Sequence, residues 1–86
     1  MGTDDDFRDA AKAVRDGKIK AKVSDEQKLE LYALYKQATE GDCKTDKPGL
    51  FNLVEKEKWK AWKALEGMSE RDAKKKYIRR VEKLNE

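Results

Sequence analysis

Apolar residues recur along this chain at helical spacing, in four runs separated by polar, glycine-containing stretches. Phe7, Ala10, Ala11 and Val14 fall at i, i+3, i+4 and i+7, which is one face of a helix. Thr3 followed by Asp4, Asp5 and Asp6 predicts the N-cap and acidic first turn of that helix. Gly17 suits the left-handed residue that ends it. Lys18 to Val23 has no clear period, is rich in lysine and reads as a loop. Ser24 to Gln27 has the pattern of a capping box and opens a second helix, which runs to about Glu40 with Gly41 as its stop. That helix carries two apolar stripes, Leu31, Leu34, Tyr35 and Ala38 on one and Leu29, Tyr32, Ala33 and Lys36 on the other. So wide an apolar arc predicts contact with two neighbours, or with one neighbour and a ligand.

Asp42 to about Asn52 is a long connection, with a turn expected at Asp46-Lys47-Pro48-Gly49. Its length is unusual between adjacent antiparallel helices and lets the next helix run parallel to the one before. A third helix holds Lys58, Trp59, Ala61, Trp62 and Leu65, with Gly67 as its stop. Ser69 to Asp72 resembles a second capping box, although aspartate is shorter than the usual glutamate. The fourth helix sets Ala73, Tyr77, Ile78, Val81 and Leu84 on one side. The reading is an all-α, four-helix domain with one long crossover, and 86 residues make one domain over 1–86.

Composition sharpens this picture. Leu, Ile, Val and Phe are only 15 of 86 residues, a level at which disorder is a concern, but the formal net charge of +3 is too small for a disordered polyelectrolyte. Ala, Glu, Lys, Leu and Arg make up half the chain, as in helices with charged outer faces. No apolar run approaches the roughly 20 residues of a membrane span, and no signal peptide is expected. The absence of histidine and the single Cys43 exclude histidine-based catalysis, the usual zinc sites and a disulfide framework. No nucleophile–base pair is readable, so an enzyme is not expected and no cofactor is implied.

One set of motifs is more specific. Tyr35-Lys36-Gln37-Ala38-Thr39-Glu40-Gly41-Asp42 is followed by Lys47-Pro48-Gly49 and then by Lys58-Trp59-Lys60-Ala61-Trp62. Ala10-Ala11 before Val14, Asp25-Glu26, and Asp72-Ala73 before Tyr77-Ile78 complete the series. In this order and spacing, from Phe7 to Leu84, the chain resembles the acyl-CoA-binding protein family. The resemblance implies a four-helix bundle of up-down-down-up topology. It also implies a cytoplasmic, non-catalytic carrier of medium- to long-chain fatty acyl-CoA; a monomer is expected because a four-helix domain can close its own core. By position, Tyr32, Tyr35 and Lys36 match the ligand-contacting Tyr-x-x-Tyr-Lys of the second helix and Tyr77 a contact of the fourth, and Leu29, on the stripe of Tyr32, is a further candidate for the ligand site. Lys58 matches the basic residue that approaches the nucleotide 3′-phosphate, and Arg15 stands where the family usually has a lysine near the phosphates. The Val14–Asp25 connection is about two residues longer than usual, Val23 replaces a common proline, and Lys28 replaces an apolar residue of the acyl groove.

The ligand so implied has a polyanionic head and a hydrocarbon tail. Lysine and arginine supply charge-assisted hydrogen bonds to phosphates while their stems lie on apolar surface. A tyrosine face stacks on a base for about 1–3 kcal/mol. Without the resemblance, Lys36 and Lys58 would be ordinary solvated charges. Trp59 and Trp62, at i and i+3, are expected in the core, and Lys74-Lys75-Lys76 on a solvated face. Asp4 to Asp6 is expected to mark a helix start and hold no metal. Cys43 is expected in a loop without a role. Two other readings fit the composition, a nucleic-acid-binding helical module and a protein-interaction module whose groove takes an amphipathic helix. Acidic residues interleaved with the basic ones count against the first. Membrane contact is expected to be at most transient.

Overall fold

The structure, a computed structural model, describes residues 2–86. Four helices are present, α1 (Thr3–Arg15), α2 (Asp25–Glu40), α3 (Leu53–Lys63) and α4 (Glu70–Leu84), with no strand among the described residues. The fold is all-α, as the periodicity predicts.

Local chemistry accounts for most helix ends. The Ser24 hydroxyl accepts from the Gln27 N–H at 3.2 Å, and the Gln27 side chain accepts from the Ser24 N–H at 2.9 Å, so the capping box is complete. Gly41, at φ +80°, closes α2 with its N–H on the Gln37 carbonyl. Ser69 accepts from the Asp72 N–H at 3.0 Å, but the shorter aspartate returns no bond. Three expectations are corrected. The N-cap of α1 is Gly2 and not Thr3, because the Gly2 carbonyl accepts from the Asp6 N–H at 3.1 Å and draws Thr3 into the first turn. Leu65 and Gly67 lie beyond α3, whose end tightens into i→i+3 bonds from Leu65 to Trp62 and from Glu66 to Lys63. The turn expected at Asp46–Gly49 falls instead at Gly49–Asn52, closed by the Asn52 N–H on the Gly49 carbonyl at 3.1 Å. The preceding residues are held against α3, since Trp59 donates to the Thr45 carbonyl and Trp62 to the Gly41 carbonyl, each at 2.9 Å.

Helix directions follow from which residues meet. Lys74 bonds Asp4 at 2.9 Å, Phe7 packs edge-on to Tyr77, and the Lys20 N–H reaches Asn85, so α1 and α4 run parallel. Gln37 bonds the Met68 carbonyl, Tyr35 neighbours Tyr77 and Glu30 pairs with Arg80, so α2 and α4 are antiparallel. The Lys58 ammonium lies over the Tyr32 ring and that of Lys36 over the Trp62 ring, so α2 and α3 run parallel. The topology is up-down-down-up, and the long α2–α3 connection is what returns the chain to the same end of the bundle.

The two stripes of α2 face two cores. Leu31, Leu34 and Ala38 join Phe7, Ala10, Ala73, Tyr77, Val81 and Leu84 in the main core. Ala33 joins Trp62 and Cys43 in a smaller one beneath α3. Trp59 packs against this second core, so both tryptophans sit where their spacing predicts. Cys43 lies in the α2–α3 connection, as expected, and is buried there as an apolar filler of the smaller core. Gln37 is completely buried, and its amide donates to Asp42 and to the Met68 carbonyl, both at 2.8 Å. Asp42 also accepts from the Gly67 N–H at 2.9 Å, so one short network ties the end of α2 to the turn before α4. These donors hold the Asp42 carboxyl below its ordinary range.

Candidate ligand-binding site

α1 and α2 are joined by a polar stretch that nevertheless contributes Ile19 and Val23 to the edge of the main core. Folding those two residues inward leaves a cleft of about 610 Å³ between the α1–α2 connection, α2 and α4. Its walls are largely apolar, lined by Val14, Ile19, Val23 and Leu31 and by the three tyrosines Tyr32, Tyr35 and Tyr77. Lys22 and Lys28 also line it. A second cleft of about 650 Å³ lies between α1, α2 and the start of α4, and is more polar, with Lys12, Arg15 and Lys74 beside Phe7 and Ala11. Tyr35 lines both clefts, so the two adjoin across its ring. Both volumes are in the range of small-molecule sites, about 300–1,000 Å³.

Tyr35 is 42% exposed, whereas Tyr77 is buried. The Tyr35 ring stacks on Phe7 with centroids 5.7 Å apart, and Phe7 meets Tyr77 edge-on at 5.1 Å. This trio joins α1, α2 and α4 at the point where the clefts adjoin. Burial, and secondarily Tyr35, pushes the Tyr77 hydroxyl up to about 12. Its phenol therefore stays neutral, a hydrogen-bonding group in an apolar wall.

The basic residues stand at the flanks. Lys58 lies with its ammonium 5.3 Å from the centre of the Tyr32 ring and 3.6 Å from Glu55. Tyr32 thereby connects the apolar cleft to the α2–α3 seam. One turn further along the seam, Lys36 sits 5.0 Å from the Trp62 ring centre and pairs with Glu40. The Glu40 hydrogen bond raises the Lys36 ammonium above its ordinary range. Arg15, largely exposed, pairs with its neighbour Asp16, at 3.6 Å. Lys74 departs from the solvated face expected of it, because it bonds Asp4 and covers the Phe7 ring. That bond holds the Asp4 carboxyl below its ordinary range.

Of the seven residues singled out from the sequence, the structure brings Tyr32, Tyr35 and Tyr77 to the apolar cleft and Arg15 to the adjoining one. Lys36 and Lys58 flank them on the α3 side. Leu29 is set apart, in a smaller cleft of about 370 Å³ between α2, α3 and α4, beside Ala61, Leu65 and Arg80. Sequence reasoning passed over Phe7, Ile19 and Val23 as site residues. Their signal was present, since Ile19 and Val23 are isolated apolar residues in a lysine-rich loop. Among the described residues no cluster of three metal-ligating side chains occurs. An apolar trough walled by tyrosines, with cations on either flank, is suited to a molecule with a hydrocarbon part and an anionic part.

Comparison with known proteins supplies the rest. The family model for acyl CoA binding protein matches residues 4–81. The acyl-CoA-binding protein of Saccharomyces cerevisiae is 50% identical over 78 residues, which are 91% of this chain and 87% of that one. The acyl-CoA-binding protein of Brassica napus is 46% identical across 100% of this chain and 91% of its own. The crystal structure of Oryza sativa acyl-CoA-binding protein 2 superposes with a TM-score of 0.89 at 43% identity, covering 96% of this chain and 90% of that one. The solution structure of the Babesia bovis acyl-CoA-binding protein does so with a TM-score of 0.82 at 45% identity, over 98% and 93% of the two chains. With the up-down-down-up bundle in place and the match running nearly from end to end, this chain belongs to the acyl-CoA-binding protein family.

Proposed function

We propose that this chain, as one domain over residues 1–86, binds medium- to long-chain fatty acyl-CoA esters and serves as their carrier and pool. The observation that carries this reading is the pair of adjoining clefts, one apolar and one flanked by cations, in a member of this family. The acyl chain takes the apolar cleft. Arg15, Lys36 and Lys58 serve the phosphates, and Tyr32, Tyr35 and Tyr77 serve the nucleotide and the channel between the two ends. Leu29 lies outside this constellation and lines the neighbouring cleft. Such a carrier needs tight non-covalent binding and no bond-breaking step, so no enzymatic role is assigned. The monomer is supported by the two cores, which the chain's own four helices close. The unpaired Cys43 thiol suits a reducing compartment such as the cytoplasm.

Magnitudes favour the tail as the main driving term. Each buried methylene contributes about 0.8 kcal/mol, so a sixteen-carbon chain supplies on the order of 10 kcal/mol before the costs of ordering and association. Charge-assisted contacts to phosphate add about 1.5–3 kcal/mol each and fix which head is accepted. Calorimetric titration with palmitoyl-CoA, free CoA and palmitate in parallel tests this. Tight one-to-one binding of the ester, with both fragments far weaker, is the expected result. Silence with all three ligands on folded protein, or flat affinity across a series of acyl lengths, overturns the reading.

A further inference from the structure

Four apolar side chains within five consecutive residues stand in solvent. Leu50 is 75% exposed, Phe51 97%, Leu53 68% and Val54 67%. They span the end of the α2–α3 connection and the first turn of α3, and none belongs to either core. Single exposed apolar residues are ordinary, but a contiguous cluster marks a surface with a partner.

Its place in the fold narrows the choice of partner. α2 and α3 run parallel with Lys58 against Tyr32. One helical turn earlier on each stand Val54 and Lys28, and Lys28 lines the apolar cleft together with Lys22 and Val23. The connection that carries Lys22 is bonded to the end of α4, through the Lys20 N–H to Asn85 at 2.9 Å and the Ala21 N–H to the Leu84 carbonyl at 3.2 Å. Residues 16–28, 47–58 and 79–86 therefore gather at one end of the bundle. Together they hold 10 basic and 7 acidic side chains, which is the whole of the chain's net +3 and leaves the remainder neutral. The apolar cluster thus sits on the positive end of the molecule, the end that also carries the cleft-lining Lys22 and Lys28.

We propose that this end docks on a bilayer that contains anionic lipid. Leu50, Phe51, Leu53 and Val54 enter the boundary between headgroups and acyl chains, and the surrounding lysines meet the anionic headgroups. Apolar insertion and charge act together, as reversible membrane anchoring requires. A second copy of the chain fits less well, because four side chains fall short of the roughly 20–30 residues a side of a stable dimer. The consequence for function, which rests on the acyl-CoA reading, is that the cleft opens at the membrane surface. An acyl chain then moves between bilayer and protein with little exposure to water.

Flotation of the ligand-free protein with vesicles tests this, using phosphatidylcholine alone or mixed with phosphatidylserine. The protein is expected to float with the mixed vesicles, less with phosphatidylcholine alone, and less again at high salt. The double variant Leu50→Ser/Phe51→Ser, changed only at exposed positions, is expected to lose vesicle binding by about tenfold while its affinity for palmitoyl-CoA in solution stays within about twofold. No flotation of the parent chain, or equal flotation of parent and variant, overturns the proposal. A parallel loss of palmitoyl-CoA affinity in the variant overturns it too, by assigning the cluster to the acyl site. So does a dimer in sedimentation that the variant dissociates. Flotation that depends on the cluster in a chain that does not bind palmitoyl-CoA upholds the docking surface and overturns only the ligand reading.

Discussion

The Lys58 ammonium rests 5.3 Å from the Tyr32 ring centre, held on one side by π-electron density and on the other by Glu55. Both are exchangeable partners, so the charge is available to a phosphate at little reorganisation cost. Lys58→Ala is expected to weaken binding of a full acyl-CoA by about tenfold and to matter far less for the ester lacking the 3′-phosphate. Equal losses in calorimetry on the two esters would remove Lys58 from the phosphate site. Tyr77 acts differently. Burial raises its hydroxyl from 10.0 to about 12, so the folded state favours the neutral phenol. The stability this represents is fully present below pH 10.0 and is lost as pH rises towards about 12. Urea midpoints across that window are expected to fall more steeply in the parent chain than in Tyr77→Phe, with the two curves parallel below it. Lysine titration affects both proteins alike and cancels in the comparison.

Helix ends carry much of what local sequence decides. The reciprocal Ser24–Gln27 bonds fix where α2 begins, and so where the α1–α2 connection must turn inward. Ser24→Ala is expected to lower unfolding free energy by about 1 kcal/mol, measured by urea denaturation at neutral pH. α3 is the weaker element. Its first turn offers Leu53 and Val54 to solvent, its N-cap Asn52 makes no side-chain bond, and it is held through Trp59 and Trp62 near its far end. Hydrogen exchange is expected to be faster in the first turn of α3 than in the middle of α2, which both cores cover.

The whole molecule couples ligand to stability, because the proposed site is built from all four helices and the α1–α2 connection and disappears on unfolding. Palmitoyl-CoA at about a hundred times its Kd is expected to add about 2.7 kcal/mol, seen as a rise in Tm that palmitate or free CoA at the same concentration does not produce. A Tm indifferent to palmitoyl-CoA would mean that the clefts do not hold it. The directions of the helices matter at this scale. Parallel α2 and α3 put Lys58 beside Tyr32 and Lys36 beside Trp62, one turn apart along one seam. An antiparallel α3 would separate those pairs. The same arrangement brings the exposed Leu50–Val54 cluster to the end of the bundle that carries Lys22 and Lys28 of the apolar cleft.

The sequence by itself determined the four helices, most of their boundaries and the two faces of α2, because periodicity and capping act over three or four residues and require no knowledge of partners. Through its ordered motifs it also determined the family, which the comparisons bear out. Only the tertiary structure decided what depends on distant residues. Trp59 and Trp62 pull the connection along α3 and move its turn to Gly49–Asn52, which no local Pro-Gly signal encodes. Ile19 and Val23 leave a charged loop for the core because folding offers them apolar neighbours from other helices. Tyr35, equal to Leu34 in the helical pattern, stays half in solvent because the cleft between α1 and α2 leaves its ring uncovered. Leu29 and Tyr32, one stripe in sequence, line different clefts because different segments meet them, Ala61 and Leu65 beside Leu29 and the α1–α2 connection beside Tyr32. A helical period specifies a face, and only the packing of the other helices specifies what that face meets.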